Sequence, residues 1–326
     1  MNIKRIVINI LIILAAFLIF ALWYHSSIKG EALKAINKAE LQAGTPDTNS
    51  AYQIYLITND KQYQFWEYMN QGVADMARLL NLTYIWDAPD TPDINRQIEI
   101  INNAVAKGAD VIILSPYDGE RLVEPVREAK NQGVKIIYVN SPGVEEGMVT
   151  LSTDNFEAGK MAGYSMLEEL ALVGAQRGTI GIVSESEINP TILQRESGFQ
   201  EVIKADGRFT LLEPVYTGGD PEVSEKAAAR IIEEHPDLVG IFGSNEGTSV
   251  GVGNAIKADD KRIVGIGFDR SEATMELLDQ EALKAIIVQN PYTMGYLGMA
   301  EAYAALKGLN TGPPYIDTGV TVIRKR

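Results

Sequence analysis

The chain has 326 residues, with 29 basic and 43 acidic side chains, and its formal net charge is −14. This acidic balance argues against a nucleic-acid partner, whose phosphates would be repelled. The chain contains no cysteine, which excludes disulfides, thiolate metal sites, thiol nucleophiles and a lipid-modified cysteine anchor.

An almost unbroken apolar run at residues 6–24 is interrupted only by Asn9. As a helix, the run would cover about 28 Å, close to the hydrocarbon thickness of a bilayer. Lys4 and Arg5 precede it, so the positive-inside bias places the N-terminus in the cytoplasm. We therefore predict a single-pass signal anchor at 1–24 in the cell membrane, with an extracytoplasmic binding domain. A cleaved signal peptide is the alternative, although its apolar region is usually shorter.

Residues 25–50 form a polar connector, which we interpret as a stalk or as a helix that pairs with a partner. From residue 51 onward, short apolar runs alternate with helical patterns. This alternation predicts βαβ units and parallel sheets, and hence an α/β fold. The candidate strands are residues 52–58, 82–86, 111–115, 134–140, 179–184, 210–215, 238–243, 262–268 and 283–289.

Several helix starts are predicted where a capping side chain precedes a proline. The cap oxygen accepts a backbone N–H, and proline at the first helical position gives up no hydrogen bond. The pairs are Thr91-Pro92, Asn189-Pro190, Asp220-Pro221 and Asn290-Pro291. Gly108 and Gly133 follow helical patterns, where left-handed C-caps are common.

Ligands of open parallel sheets bind at the carboxyl ends of the strands. Polar side chains follow the candidate strands there, and an aromatic group follows the first one. Carboxylates accept hydrogen bonds, arginine donates them, amides do both, and aromatic rings offer an apolar wall. This combination fits a sugar, which presents hydroxyls and apolar C–H faces. The strand-end residues are Asn59, Asp60, Asn140, Ser141, Asn245, Glu246, Asp269, Arg270, Gln289 and Asn290, joined by Arg195, Tyr63, Phe65 and Trp66.

Each of these residues also has a purely structural interpretation. Asp269 and Asn245 could be helix caps, and Arg195 could be a surface arginine. The aromatic residues could belong to the core, and Gln289 could be a hinge residue without ligand contact. Only the joint placement of these residues at strand ends favours a binding site.

An enzyme is the second hypothesis, because residues 247–251 match the G-x-S-x-G hydrolase pattern. That pattern needs its serine directly after a strand and a histidine later in the chain. Ser249 instead falls inside a predicted helix, and His25 and His235 both precede it. We therefore predict no enzyme, no cofactor and no metal. A transcription regulator would need a basic helix-turn-helix where the apolar run stands, so we reject it.

In a series of motifs, the chain from residue 51 resembles the type I periplasmic sugar-binding proteins, the ribose- and galactose-binding group. The motifs are Phe65-Trp66 before Gly72, residues 108–116, Thr153-Asp154-Asn155 before Gly159, and residues 194–199, 235–237, 244–246, 265–269 and 289–291. The resemblance implies two Rossmann-like lobes with parallel sheets, which close on a ligand by hinge bending. It places an N-terminal lobe at 51–152 and 290–312 and a C-terminal lobe at 153–289 and 313–326. Three crossovers are then expected near Thr153, Gln289 and Gly312.

The resemblance also implies roles for the predicted ligand-binding residues. Phe65 and Trp66 would stack on the sugar, and polar members would bind its hydroxyls. Ribose-like members carry an Asp-Arg pair where this chain has Asn140-Ser141, and often an asparagine at Tyr63, so we expect a ligand other than ribose. A nucleoside or a furanosyl signalling molecule is the alternative. The predicted set is Tyr63, Phe65, Trp66, Asn140, Ser141, Arg195, Asn245, Asp269 and Gln289.

The partner is expected to be a membrane protein. Delivery to a membrane ABC permease is the more common use of this fold. A retained anchor and stalk instead resemble sugar-binding proteins of some Gram-positive bacteria, among them a xylose-sensing type, which work beside a sensor histidine kinase. We therefore predict capture of a monosaccharide for an ABC transporter or for a two-component sensing system.

Overall fold

The computed structural model of the chain describes residues 52–259, 262–309 and 312–325. The predicted anchor at 1–24 and stalk at 25–50 lie outside the described residues. None of the helices within the described ranges combines the length and the apolar character that a bilayer crossing requires.

The first sheet consists of six parallel strands. Across the two sheets, three strands of the structure were not among the candidate strands. Val149–Ser152 and Tyr315–Asp317 belong to this sheet and were not predicted, and Val320–Arg324 belongs to the second. The strands of the first sheet are β1 (Ile54–Ile57), β2 (Ile85–Asp87), β3 (Val111–Leu114), β4 (Lys135–Asn140), β5 (Val149–Ser152) and β12 (Tyr315–Asp317), in the order β12-β5-β4-β3-β1-β2.

The second sheet is parallel except at one edge, where the last strand of the chain runs antiparallel to its neighbour. The predicted strand at 210–215 is two short strands with a break between them. The strands are β6 (Gly178–Ser184), β7 (Phe209–Leu211), β8 (Val215–Tyr216), β9 (Leu238–Gly243), β10 (Val264–Phe268), β11 (Ala285–Gln289) and β13 (Val320–Arg324), in the order β13-β11-β10-β9-β6-β7, with β8 beside β6.

Helices cover both faces of each sheet, which explains why the strands read as continuous apolar runs. In β1, Ile54 and Leu56 pack into one core, and Tyr55 and Ile57 pack into another on the opposite face. The described helices are α1 (Gln64–Leu79), α2 (Ile94–Ala106), α3 (Val123–Asn131), α4 (Asn155–Leu172), α5 (Pro190–Asp206), α6 (Pro221–Glu234), α7 (Glu246–Ala258), α8 (Glu272–Asp279) and α9 (Pro291–Leu306).

The chain passes between the two sheets three times, and one crossing differs from the prediction. It passes from β5 to α4, which packs on the second sheet, and from β11 to α9, which packs on the first. The third passage lies between Asp317 and Val320 instead of near Gly312. The reason is that β12 still pairs with β5, so residues up to Asp317 belong to the first lobe and the boundary between 312 and 313 is wrong.

Two of the four predicted proline-linked caps are confirmed. Asn189 and Asp220 accept hydrogen bonds from backbone N–H groups in the first turns of α5 and α6. Thr91 is not a cap, because α2 begins later and Asp93 caps it. The side chain of Asn290 makes no capping hydrogen bond. Its amide instead donates to the carbonyl oxygens of Thr318 (2.7 Å) and Gly319 (3.2 Å), which ties the second crossing to the third.

Glycines let α4 and α5 approach each other closely. A Cβ on Gly159 would lie 2.0 Å from the carbonyl oxygen of Arg195, and a Cβ on Gly198 would lie 2.0 Å from that of Phe156. Any side chain at these positions would therefore separate the helices. This tight pairing fixes the position of Arg195 beside the second sheet.

Candidate functional site

A small cavity, about 40 Å³ in volume, lies at the carboxyl ends of the strands of both sheets. Every predicted ligand-binding residue except Ser141 lines it. The lining residues are Asn59, Asp60, Tyr63, Phe65, Trp66 and Asn140 from the first lobe, Glu185, Thr191, Ile192, Arg195, Asn245, Glu246 and Asp269 from the second, and Gln289 at a crossing.

The aromatic wall stands at the start of α1. The rings of Phe65 and Trp66 meet edge to face, with centroids 4.8 Å apart at an angle of 88°. The indole Nε1 of Trp66 donates to Oδ2 of Asp60 at 3.0 Å, which fixes the ring. The Tyr63 hydroxyl donates to the carbonyl oxygen of Gly219, in the other lobe, at 2.7 Å. The two rings are thus held rigidly, and Tyr63 joins the lobes.

Arg195 is not a surface residue, because only 3% of it is exposed. Its Nε donates to Oδ1 of Asn155 at 2.8 Å, and its Nη1 donates to the carbonyl oxygen of Ser244 at 3.0 Å. The guanidinium carbon also lies 3.9 Å from the centre of the Phe268 ring. Burial lowers the pKa of Arg195, and the carboxylates of Asp269 and Glu185 oppose that shift. The side chain is therefore a preorganised donor.

Asp269 and Gln289 form a pair at the ends of β10 and β11. Gln289 Nε2 donates to Asp269 Oδ1 at 2.8 Å. Asp269 has a φ of +67°, an unusual backbone conformation outside glycine, and such strain often occurs at functional sites. Asp269 does not cap the following helix, because Ser271 does so in a capping box with Thr274. Its carboxylate therefore remains available to the cavity.

Asn245 caps a helix and also lines the cavity. Its Oδ1 accepts from the backbone N–H of Thr248 at 3.0 Å, which caps α7. Its Nδ2 donates to Oε2 of Glu185 at 3.1 Å. The cap fixes the orientation of the amide, and the other end orients a cavity carboxylate.

Asn140 lines the cavity from the end of β4, with a φ of +65°. Its Nδ2 donates to Oγ of Ser141 at 3.2 Å. Ser141 is 1% exposed and lies behind Asn140, outside the lining. Its hydroxyl faces the amide of its neighbour, so the structure gives it a supporting position.

Several lining residues were not among the predicted set. Asn59, Asp60 and Glu246 were recognised as strand-end polar residues but not selected. Glu185 directly follows β6, so the strand-end rule could have found it. Burial is the main cause that raises the pKa of Asp60 to about 6, of Glu185 to about 7 and of Glu246 to about 7. The remaining pair, Thr191 and Ile192, carries no sequence signal of this kind.

Ser249 has no hydrolase geometry. Its Oγ donates to the carbonyl oxygen of Asn245 at 2.6 Å and accepts from the backbone N–H of Phe268 at 2.7 Å. It lies buried inside α7 and fastens that helix to β10. The serine therefore connects α7 to β10 within the second lobe.

Comparison with known proteins settles the family. The family model of the periplasmic binding protein domain matches residues 54–310. The chain belongs to this family. The predicted resemblance to type I periplasmic sugar-binding proteins is thereby confirmed, with the α/β fold and its parallel sheets. A D-apiose import binding protein from Paraburkholderia graminis is 24% identical over 286 residues, which cover 86% of each chain.

Solved structures of this family share both sequence and shape with the chain. A carbohydrate transporter solute-binding protein from Agrobacterium radiobacter, in complex with D-arabinose, is 28% identical with a TM-score of 0.81 and covers 85% of this chain and 96% of its own. An ABC transporter solute-binding protein from Agrobacterium vitis, with bound D-fucose, is 28% identical with a TM-score of 0.78. It covers 84% of this chain and 95% of its own.

Proposed function

We propose that the chain is an extracytoplasmic solute-binding protein that captures a monosaccharide between its two lobes. The observation that carries the proposal is the composition of the cavity: Phe65 and Trp66 face it from one lobe, and Arg195 and Asp269 face it from the other. Such a site offers an apolar wall for C–H faces and charged partners for hydroxyls. The relatives from Agrobacterium and Paraburkholderia support it, since their names or complexes specify D-arabinose, D-fucose and D-apiose.

Contacts across the cleft indicate how ligand capture and lobe closure are coupled. Besides the Tyr63 hydroxyl, the backbone N–H of Phe65 donates to Oε2 of Glu246 at 3.3 Å. The backbone N–H of Glu272 donates to Oε1 of Gln64 at 2.9 Å. These contacts join the two lobes, and a ligand that touches both lobes would add to them. Ligand binding therefore shifts the population towards the closed state.

The protein binds its ligand without converting it, and the cavity needs no cofactor for that task. Arg195 and Asp269 serve as recognition groups, and their charge-assisted hydrogen bonds contribute about 1.5–3 kcal/mol each. A few such bonds, after ordering costs, give micromolar affinity, about −8 kcal/mol. This is sufficient for reversible capture and release.

The anchor at 1–24 would keep the binding domain at the outer face of the membrane. Its support is the length of the apolar run and the basic residues before it. We propose delivery to an ABC permease as the partner function, because the relatives include import binding proteins. An anchored domain beside a sensor histidine kinase is the variant that the stalk favours.

The test is a thermal-shift screen of the full chain in mild detergent against pentoses, hexoses and nucleosides, followed by calorimetry. A ligand raises the melting temperature by mass action. Trp66→Leu should weaken binding of the hit by at least about tenfold, because the ring wall is lost. Trp86→Leu is the matched control, since Trp86 lies in the same lobe and outside the cavity lining. Equal loss in both variants, or no hit among the sugars, would contradict the proposal.

A further inference from the structure

The cavity lining contains more carboxylates than cations. Asp60, Glu185, Glu246 and Asp269 line it together with a single guanidinium, that of Arg195. Among the described residues, no ion pair joins any of these carboxylates to a basic side chain. Burying a carboxylate without a cation costs free energy, so other groups must stabilise these four carboxylates.

Two of the four carboxylates are partly compensated by hydrogen bonds at the start of α1. Asp60 Oδ1 accepts from the backbone N–H of Gln62 at 2.8 Å, and its Oδ2 accepts from Trp66. Glu246 Oε2 accepts from the backbone N–H of Phe65. The partial positive charge of a helix N-terminus stabilises both anions.

Glu185 and Asp269 have less compensation. Glu185 accepts one side-chain hydrogen bond, from Asn245 to Oε2, and no described residue donates to its Oε1. Asp269 accepts from Gln289 and from the backbone of Glu246. Arg195 attracts both carboxylates but forms an ion pair with neither. One guanidinium therefore accompanies two carboxylates in the second-lobe part of the lining, and burial raises the pKa of each carboxylate.

Two amide oxygens in the lining lack hydrogen-bond donors, which is an observation separate from the charge balance. Oδ1 of Asn59 and Oε1 of Gln289 are buried and have no hydrogen-bond partner among the described residues. Asn59 is 5% exposed and Gln289 is 3% exposed. Buried acceptors are normally satisfied, so both point to donors on a bound molecule. The cavity thus lacks donors as well as positive charge.

A metal ion does not fit this arrangement, because no three acidic or histidine side chains among the described residues converge in a geometry that could hold one. A neutral sugar supplies O–H donors but no charge. A protonated amine supplies both, since an ammonium group donates up to three hydrogen bonds.

We propose that the ligand is a monosaccharide-sized polyol with one protonated amino group, such as a hexosamine. Glu185 and Asp269 hold the ammonium group, and hydroxyls donate to Asn59 Oδ1 and Gln289 Oε1. This inference rests on the proposed function, because it names the ligand class of the same cavity.

Matched sugar pairs test the inference by calorimetry on the full chain at neutral pH. The pairs are glucosamine with glucose, galactosamine with galactose, and mannosamine with mannose. We expect the amino member of at least one pair to bind about tenfold or more tightly than its neutral partner, because charge-assisted hydrogen bonds are about twice as strong as neutral ones. Glu185→Gln should reduce this preference to about threefold or less. Glu187→Gln, an exposed neighbour outside the lining, should leave it unchanged.

The outcomes separate the two proposals. Neutral members that bind as tightly as their amino partners would overturn the inference and leave sugar capture intact. The same holds if a neutral sugar of the wider screen binds while no amino sugar does. If no sugar of either kind binds, both proposals fail. A preference for the amine that survives Glu185→Gln would show that Glu185 does not hold the ammonium group.

Discussion

Replacing Glu185 with glutamine should stabilise the protein, and the gain should depend on pH. Burial raises the pKa of Glu185 from 4.5 to about 7, against the opposing attraction of Arg195. A carboxyl group whose folded pKa is raised favours folding at low pH, and that contribution disappears as the pH rises through the folded pKa. The wild-type protein should therefore lose stability between pH 4.5 and about pH 7.

The magnitude follows from the size of the pKa change. One pKa unit corresponds to about 1.4 kcal/mol, and discounting for the partial exposure of the side chain leaves a cost of about 2 kcal/mol in the ionised form. Glutamine keeps the shape and removes the charge. Glu185→Gln should raise the free energy of unfolding by about 2 kcal/mol above the folded pKa, and by much less below pH 5.

The assay is urea unfolding of the full chain at about pH 5 and about pH 8, with Glu187→Gln as the exposed control. Asp60, Asp269 and Arg195 act on Glu185 in the wild type, so the measured change with pH includes the coupling of these groups to the Glu185 charge. The quantity to compare is the difference in the free energy of unfolding between Glu185→Gln and the wild type, and how that difference changes with pH. A constant difference across that range, or a destabilised variant at the higher pH, would refute the account of an undercompensated carboxylate.

Three further predictions address the site, the helix pairing and the anchor. Arg195→Ala and Asp269→Ala should each weaken sugar binding by about 1–3 kcal/mol, because partners are left unpaired; calorimetry with unchanged affinity in both would remove them from the site. Gly198→Ala should lower the free energy of unfolding by about 1–3 kcal/mol, because its Cβ would lie 2.0 Å from the carbonyl oxygen of Phe156; an unchanged melting temperature would contradict the close approach. The full-length protein should fractionate with membranes through residues 6–24, and a mature N-terminus beyond that run would disprove a retained anchor.

Much of the site could be predicted from the sequence, because ligands of parallel sheets bind at the carboxyl ends of the strands. Buried parallel strands give long apolar runs, so the ends of the strands could be predicted from the sequence. Asn140, Asn245 and Asp269 lie at or just after such ends. Glu185 follows the predicted strand at 179–184 in the same way, but it was not included in the predicted set. The charge state of the lining depends on which donors meet each carboxylate in space, which a sequence pattern does not specify.

Short edge strands and the crossing residues were beyond prediction for a different reason. β5 and β12 have four and three residues, too few for a clear period. Asn290 has the sequence pattern of a cap, but its amide donates to Thr318 and Gly319, which lie 28 and 29 residues further along the chain. Long-range contacts of this kind override a local preference.

The most direct test of the central claim is a crystal structure of the protein with the tightest ligand from the screen. The account predicts one polyol in the cavity, stacked on Phe65 and Trp66 and hydrogen-bonded to Arg195 and Asp269 from the opposite lobe. A ligand bound to one lobe alone, or at a surface away from these four side chains, would contradict it.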